Sequence, residues 1–407
     1  MKPPSAFVFP DNLAALAAAR ELGSAGIRVF VGGPRRGPAG RSRFVTFLQM
    51  PDLYKSTAQW AEAVCAWGSL QSSPPVLFAS EDAALLAAEK HHEELARVFI
   101  KPYPAPGVID RIIDKRRLYE AAERSHVAVP RSREIRDPAE AAGIKPNGWL
   151  VKPALRYRLT SSGGVESFRQ ATGATKAIGG DPETASREVL AGGFPAILQE
   201  AVPGGFENLI TVALTVGRDG RLLDFFAACK KHEYPEPFGD GLIVRIVQDP
   251  GLLSSCVRLL GEVGYWGICD IEFKRDPASG DYKLLDANPR TWLWLTLGCR
   301  SGHHLLLLAY NEATGQQIRP ALAATRTRAW VSPRGSVAFL ARCYRPSRHG
   351  LALPPRLVIG ALLTAFGNWR SFRDPLYVRP SAWPEVFAAS SRLLRQGRKR
   401  LIGRTRA

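Results

Sequence analysis

The sequence predicts an open α/β domain followed by an α+β domain. Over the first 105 residues, short apolar runs alternate with helical segments, a pattern typical of a parallel sheet with crossover helices. Farther along, apolar runs are joined by tight glycine-flanked turns, which indicate antiparallel hairpins. We therefore expect an N-terminal domain at 1–105, a second domain at 106–320 and a basic C-terminal extension at 321–407.

The first domain opens with a strand–helix–strand unit. An apolar strand at Ala6–Phe9 precedes a helix at Leu13–Leu22, for which Asp11 or Asn12 is a suitable N-cap, and the next strand is Ile27–Val31. Further strands are predicted at 44–48 and 76–79, and further helices at 57–67 and 82–96. No GxGxxG motif follows the first strand, so the sequence gives no support for dinucleotide binding there.

The second domain is predicted to follow a linker at Pro102–Gly107, which is rich in proline. Its predicted helices are at 114–123, 251–263 and 303–314. Its predicted strands are at 149–153, 196–202, 209–216, 222–230, 267–273 and 282–290. The turn Gly217–Gly220 joins two of these strands in a hairpin.

The cysteine pattern and the amino terminus bear on cellular location. Met1–Pro10 has too short an apolar stretch for a secretory signal. Six cysteines are scattered without a CxxC pair, so we expect reduced thiols and a cytoplasmic protein.

The net charge of +18 is concentrated in the tail. Residues 320–407 carry 17 Lys and Arg against two acids, which accounts for +15 of the total. An apolar run at 357–366 is too short to span a bilayer, which needs roughly 20 apolar residues. Two interpretations stay open for this tail: a solvated terminal helix, or a contact with an anionic membrane surface or an acidic polymer. We do not expect nucleic acid, because no recognition module is legible.

Acidic side chains are arranged with strand periodicity in the segment 270–290. Alternation along a strand puts Asp270 and Glu272 on one face, and it likewise puts Asp286 and Asn288 on one face of the next strand. Carboxylates grouped in this way repel one another unless a cation lies among them. Oxygen ligands of this kind suit Mg²⁺ or Mn²⁺, and Arg290 adds a donor for phosphate or carboxylate. The alternative is a solvent-facing strand pair that happens to be acidic.

The motif Asp-Ile-Glu-Phe, followed about a dozen residues later by Leu-Leu-Asp-Ala-Asn-Pro-Arg, resembles the metal signature of the ATP-grasp superfamily. The order of the other segments over residues 5–318 is also similar. The resemblance implies an ATP-grasp fold with an N-terminal pre-ATP-grasp domain and two α+β lobes that clamp ATP, the small lobe at about 106–200 and the large lobe at about 201–320. The chain departs from many relatives at Asp286, where they carry Glu.

The resemblance also implies site residues. Lys115 and Lys152 would contact ATP, Glu200 and Val202 would lie on the strand that holds the adenine, and Glu207 would bind the ribose. The implied metal ligands are Glu272, Asp286 and Asn288. Arg290 would be catalytic, steadying the γ-phosphate or acyl phosphate.

Two loops carry further candidates. The loop at 160–164 could cradle phosphate through the backbone of Ser162, Gly163 and Gly164, or it is an ordinary polar turn. The stretch that begins Lys230-Lys231-His232 resembles a substrate-side loop of carboxylate–amine ligases, with Lys231 as the catalytic candidate. A solvated basic cluster is the alternative.

Within the superfamily, the sequence most resembles the branch containing D-aspartate ligases and carbamoyl-phosphate-synthase-like ligases. This resemblance implies an ATP- and magnesium-dependent enzyme that joins a carboxylate to an amine through an acyl phosphate. The expected partners are a small-molecule carboxylate and amine, and a homodimer is common in similar enzymes. The alternative is a basic membrane-surface or acidic-polymer binding protein whose ATP site has another role. No motif identifies the two substrates.

Overall fold

The computed structural model describes residues 3–172, 180–234, 240–249, 251–319 and 329–331. The chain forms two compact units. The first comprises residues 1–229 and 246–326, and the second comprises residues 230–245 and 327–407. The domain boundaries expected near residues 105 and 320 stay a prediction.

The amino-terminal part of the first unit is a parallel sheet, as predicted. Its strands are β1 (Ala6–Phe9), β2 (Val29–Gly33), β3 (Val45–Gln49) and β4 (Val76–Ala79), in the order β3-β2-β1-β4. The connecting helices are α1 (Leu13–Ser24), α2 (Thr57–Ser69), α3 (Asp82–Lys90) and α4 (His92–Ala96). Phe7, Phe9 and Trp60 pack in the core between sheet and helices, and all four residues of β1 are buried, as expected for a parallel strand that is covered on both faces.

The N-cap of α1 is Asn12, whose side chain accepts the Ala15 N–H at 2.9 Å. Asp11 instead accepts backbone N–H groups of the loop that contains a short 3-10 helix at Ala39–Arg41. The single helix predicted at 82–96 is wrong. The backbone leaves the helical region at His91, and the second helix then buries Leu95 in the core.

The next part of the first unit begins with α5 (Val108–Ile113), which the sequence analysis did not predict, and α6 (Lys115–Arg124), whose N-cap is Asp114. A three-stranded antiparallel sheet follows, made of β5 (Ser132–Ile135), β6 (Trp149–Pro153) and β9 (Ala196–Glu200) in the order β5-β9-β6. A small hairpin pairs β7 (Tyr157–Leu159) with β8 (Val165–Ser167), and α7 (Phe168–Thr172) and α8 (Pro182–Ala191) complete this part. The sequence analysis also missed α8, although Asp181 at its N-cap and Pro182 at its first position are ordinary start signals. A 3-10 helix lies at Pro138–Ala141 and another at Phe206–Asn208.

The remaining strands are β10 (Leu209–Val216), β11 (Leu222–Tyr234), β12 (Asp240–Val247), β13 (Gly267–Arg275), β14 (Tyr282–Asn288) and β15 (Ala329–Val331). The remaining helices are α9 (Gly251–Val263), α10 (Leu295–Arg300) and α11 (Leu305–Thr314). In the first unit the antiparallel strands run β14-β13-β10-β11, which confirms both predicted hairpins. In the second unit β12 pairs with β15.

Packing on one face of the large sheet fixes which side chains point to its other face. Ile271, Phe273 and Leu284 pack with residues of α5, α6 and α9 in one core. Because successive strand residues point to opposite faces, this packing commits Asp270 and Glu272 to the other face. No described helix has the combination of length and apolarity needed to cross a bilayer. The apolar run at 357–366 lies outside the described residues, as does the rest of the basic tail apart from β15.

Candidate functional site

The acidic residues of β13 and β14 face one another in register. Asp270 lies opposite Asn288, and Glu272 lies opposite Asp286. Asp270, Asp286 and Asn288 are buried, with 4%, 7% and 5% of their surfaces exposed. The predicted convergence of oxygen atoms on one face is therefore confirmed, and the alternative of a solvent-facing pair is excluded by the burial.

Two cations contact Asp286. Lys115 Nζ lies 3.0 Å from Asp286 Oδ1, and Arg156 donates to Asp286 Oδ2. Burial acts to raise the pKa of Asp286, but the charges of Lys115 and Arg156 outweigh it, so the pKa lies well below its usual range. Asp286 is therefore ionised at neutral pH.

Lys152 lies on β6 near the same group. Burial and the charge of Lys115 lower the pKa of Lys152 to about 8, although Asp286 and Glu272 act in the opposite direction. A lysine held in this way loses its proton more readily than an exposed lysine, and an arriving anion would restore its charge.

Arg290 is held on three sides. Its Nε donates to Asp82 Oδ1 at 2.6 Å, its Nη2 to Asn288 Oδ1 at 3.0 Å, and its Nη1 to the Thr291 carbonyl at 3.1 Å. Asp82 begins α3, just after parallel strand β4. The parallel sheet thus fixes the guanidinium beside the hairpin of β13 and β14, which is called the acidic hairpin below.

Asp270 has the features of an incomplete cation site. Burial and the neighbouring charge of Glu272 raise the pKa of Asp270 to about 7. Its Oδ1 is buried and has no hydrogen-bond partner among the described residues. A divalent cation would supply this partner and offset the repulsion between the carboxylates, so the oxygen donors present fit Mg²⁺ or Mn²⁺.

The residues predicted to hold adenine and ribose lie on and after β9. Glu200 accepts from Lys283 Nζ at 3.3 Å and from Arg131 at 3.3 Å. Partial burial acts to raise the pKa of Glu200, but the hydrogen bonds from Arg131 and Lys283 outweigh it and lower the pKa. Val202 is buried, whereas Glu207 is exposed and accepts hydrogen bonds from its neighbours Gly205 and Asn208. Their nucleotide roles stay predictions.

The loop at 160–164 is the turn between β7 and β8. The N–H groups of Gly163 and Gly164 donate to the carbonyl and hydroxyl of Thr160, and the Ser162 hydroxyl also contacts that hydroxyl. Gly163 O accepts both the N–H and the hydroxyl of Thr57, so the turn rests on the start of α2. Phosphate contacts from Gly163 and Gly164 would require their internal bonds to be exchanged, and that role stays a prediction.

Lys231 lies on β11, and its side chain is outside the described residues. Its proposed catalytic role is therefore untested. The sequence analysis also missed two residues that the fold brings to the site. Arg156 follows Lys152 by four residues, and Asp82 lies at the carboxyl end of a parallel strand, a common location for functional side chains.

Comparison with known proteins identifies the fold. No protein-family model matches the sequence. A curated D-aspartate ligase from Enterococcus faecium (strain Aus0004) is 25% identical over 232 residues, which is 54% of this chain and 54% of that protein. The chain thus matches about half the length of this relative.

Solved structures match over more of the chain. An L-amino acid ligase from Bacillus licheniformis has a TM-score of 0.57 at 13% identity, covering 79% of this chain and 78% of that one. The ADP complex of an N5-carboxyaminoimidazole ribonucleotide synthetase has a TM-score of 0.60 at 12% identity, covering 84% and 86%. These neighbours are ATP-grasp proteins, and this chain has the ATP-grasp fold. A D-aspartate ligase is thus among the proteins to which this sequence is similar.

Proposed function

We propose that this protein is an ATP- and magnesium-dependent ligase that joins a carboxylate to an amine. The observation that carries the proposal is the pairing of Asp270 with Asn288 and of Glu272 with Asp286 on one face of the sheet. Three of these four residues are buried, and basic side chains contact Asp286. The ATP-grasp fold and the similarity to a D-aspartate ligase support the same assignment. Manganese is an alternative metal with the same ligand preferences.

In this proposal the acidic hairpin holds the metal. Glu272, Asp286 and Asn288 supply oxygen ligands, and the unsatisfied Oδ1 of Asp270 lies on the same face. Bound Mg²⁺ would neutralise charge on the ATP phosphates. Lys115 and Arg156 contact Asp286, so each is placed beside the proposed metal ligands, where it would bind a phosphate oxygen of ATP.

The proposed chemistry has two steps. The substrate carboxylate attacks the γ-phosphorus of ATP, which breaks the bond to the β-phosphate oxygen and gives an acyl phosphate and ADP. The amine then attacks the acyl carbon, and phosphate leaves as the amine loses a proton. Phosphoryl transfer of this kind requires mainly positioning and charge neutralisation, which Lys152 and Arg290 would provide.

Amino acids are the first substrate class to examine. The names of the matched sequence relative and of one structural neighbour both specify amino acids as the compounds ligated. The homodimer and the anionic partner of the tail stay predictions. Since all of the tail except β15 lies outside the described residues, no observation on the described part of the chain favours the alternative of a surface-binding protein.

The experiment is a phosphate-release screen of the full chain with ATP and Mg²⁺ against pairs of amino acids and amines. A productive pair should stimulate phosphate release and give a condensed product detectable by mass spectrometry. Asn288→Ala should abolish turnover because it removes both a metal ligand and a partner of Arg290. The matched control is Asp281→Asn, which changes an exposed carboxylate in the turn of the same hairpin.

Folding of both variants is checked by circular dichroism and thermal melting. Turnover of Asn288→Ala at the wild-type rate would contradict the assignment of the hairpin. ATP binding without stimulation by any small-molecule pair would instead refute small amino acids as the substrate class.

A further inference from the structure

A second cluster of metal-binding side chains lies in the first unit. Glu21 of α1, Cys299 of α10 and His304, which immediately precedes α11, each present one ligand atom, and these atoms all lie within 4.8 Å of one another. All three residues are buried. Glu21 lies near the C-terminal end of α1. At the other end of this helix, the N-cap Asn12 contacts Glu81, which lies beside the acidic hairpin.

The carboxylate of Glu21 interacts with two other groups, the backbone at the start of α11 and the Cys299 side chain. Its Oε1 accepts the Leu307 N–H at 3.0 Å, so it caps the first turn of α11. Its Oε2 is buried without a hydrogen-bond partner among the described residues. Burying a polar oxygen without a partner is costly, and a helix cap needs only one of the two oxygens. A bound cation would give the second oxygen a partner.

The chemistry of the three groups selects the ligand. Thiolate, imidazole and carboxylate together are ligands of Zn²⁺, whereas Mg²⁺ and Ca²⁺ favour oxygen atoms alone. Zinc bonds of about 2.0–2.3 Å in a tetrahedron put ligand atoms roughly 3.3–3.8 Å apart. The upper limit of 4.8 Å on the separations in the cluster is about 1 Å above these tetrahedral distances. Three protein ligands leave one position for water or another group.

We propose that Glu21, Cys299 and His304 form a binding site for one Zn²⁺ ion, distinct from the acidic hairpin. The three ligands come from three different elements: α1, α10 and the residue before α11. Zinc would therefore cross-link the first helix of the chain to the segment that follows the hairpin. The expected consequence is stabilisation of the first unit, because binding to the folded state alone shifts the folding equilibrium.

The experiment titrates metal-free full-length protein with Zn²⁺ in excess Mg²⁺, which competes for the proposed magnesium site at the acidic hairpin. Competition with a chromophoric chelator measures stoichiometry, and Co²⁺ is used as a spectroscopic probe. We expect one equivalent of Zn²⁺, a rise in melting temperature on binding, and a thiolate-to-Co²⁺ charge-transfer band. Cys299→Ala should remove the band, and Glu21→Gln should weaken Zn²⁺ binding at least about 10-fold.

The matched control is Cys256→Ala, which changes another buried cysteine that lies in the core packed against the large sheet. It should keep the charge-transfer band and the stoichiometry. Wild-type protein that binds no Zn²⁺, or that binds Co²⁺ without the band, would overturn the proposal, and this test needs no variant to fold. Unchanged Zn²⁺ affinity in Cys299→Ala would overturn it as well. None of these readouts depends on ligase activity.

Discussion

Asp82 and Arg290 form a buried ion pair of 2.6 Å across 208 residues of sequence. Asp82 begins a helix after the last strand of the parallel sheet, and Arg290 follows the acidic hairpin. A second contact joins the same two segments, because the Thr291 N–H donates to the Ala79 carbonyl at 3.2 Å. The parallel sheet is therefore part of the candidate active site, because it fixes the orientation of a guanidinium that also contacts Asn288.

Asp82→Asn should destabilise the fold and lower turnover. Removing one charge of a buried pair leaves the other uncompensated, which costs about 3 kcal/mol of unfolding free energy. Arg290 should also lose its orientation, so we expect kcat to fall about 10-fold with a smaller change in KM for ATP. Denaturant unfolding and steady-state kinetics measure the two effects.

The control for this variant is Asp110→Asn, which breaks the exposed pair between Asp110 and Arg117. Exposed pairs contribute about 0–1 kcal/mol, so this change should be nearly silent. Equal destabilisation by the two variants would show that the buried Asp82 pair has no special role.

Asp286→Asn should remove metal-dependent ATP turnover, by at least about 100-fold. Lys115 and Arg156 would lose their shared counter-ion, so the melting temperature should also fall. Phosphate release at several Mg²⁺ concentrations checks the first effect, and calorimetry checks the second. A variant with normal turnover but a lower melting temperature would assign Asp286 a structural role alone.

ATP binding should be linked to protonation of Lys152. Its pKa in the folded protein is about 8, so near pH 8.5 much of it is neutral, and phosphate would favour the charged form. We expect proton uptake on binding and weaker ATP affinity as the pH rises above 8. Calorimetric titration in buffers of different ionisation enthalpy measures the uptake, and Lys152→Met should reduce it. Identical uptake in that variant would assign the proton to another group.

The same shift predicts a stability change with pH. Since the folded state lowers the pKa of Lys152, the unfolded chain binds this proton more tightly between pH 8 and the ordinary lysine value. The penalty for burying the charge of Lys152 is fully present below pH 8 and is relieved as the pH rises through that window, so the folded state becomes more stable over this range. Lys152→Met should flatten the pH dependence of the unfolding free energy over this range.

Gly164→Ala should destabilise the protein more than Gly163→Ala. A Cβ at Gly164 would lie 2.2 Å from the Tyr54 carbonyl oxygen, whereas Gly163 has open space but a φ of +86°. We expect a cost of about 1 kcal/mol at Gly163 from backbone strain and about 3 kcal/mol at Gly164 from overpacking. Denaturant unfolding compares the two, and limited proteolysis reports opening of the turn. The reverse order would show that the turn does not rest on residues 54–57.

Local rules account for what the sequence predicted well. Strand periodicity placed Asp270 and Glu272 on one face, because alternation depends only on neighbouring residues. The glycine-flanked turn at 217–220 and the N-cap of α1, predicted at Asp11 or Asn12, depend equally on short segments. The break at His91 was missed because no glycine or proline marks it in the sequence. The break accompanies the burial of Leu95 against residues that are distant in the chain.

Three features were legible in the sequence alone: the alternation along the strands, the grouping of acidic side chains on one face, and the resemblance to ATP-grasp proteins. Tertiary structure alone decided that Asp82 holds Arg290, that Lys115 and Arg156 meet on Asp286, and that Glu21 lies beside Cys299. These groups are far apart in the chain and have no shared spacing. Their meeting depends on how whole sheets and helices pack, which no local pattern encodes.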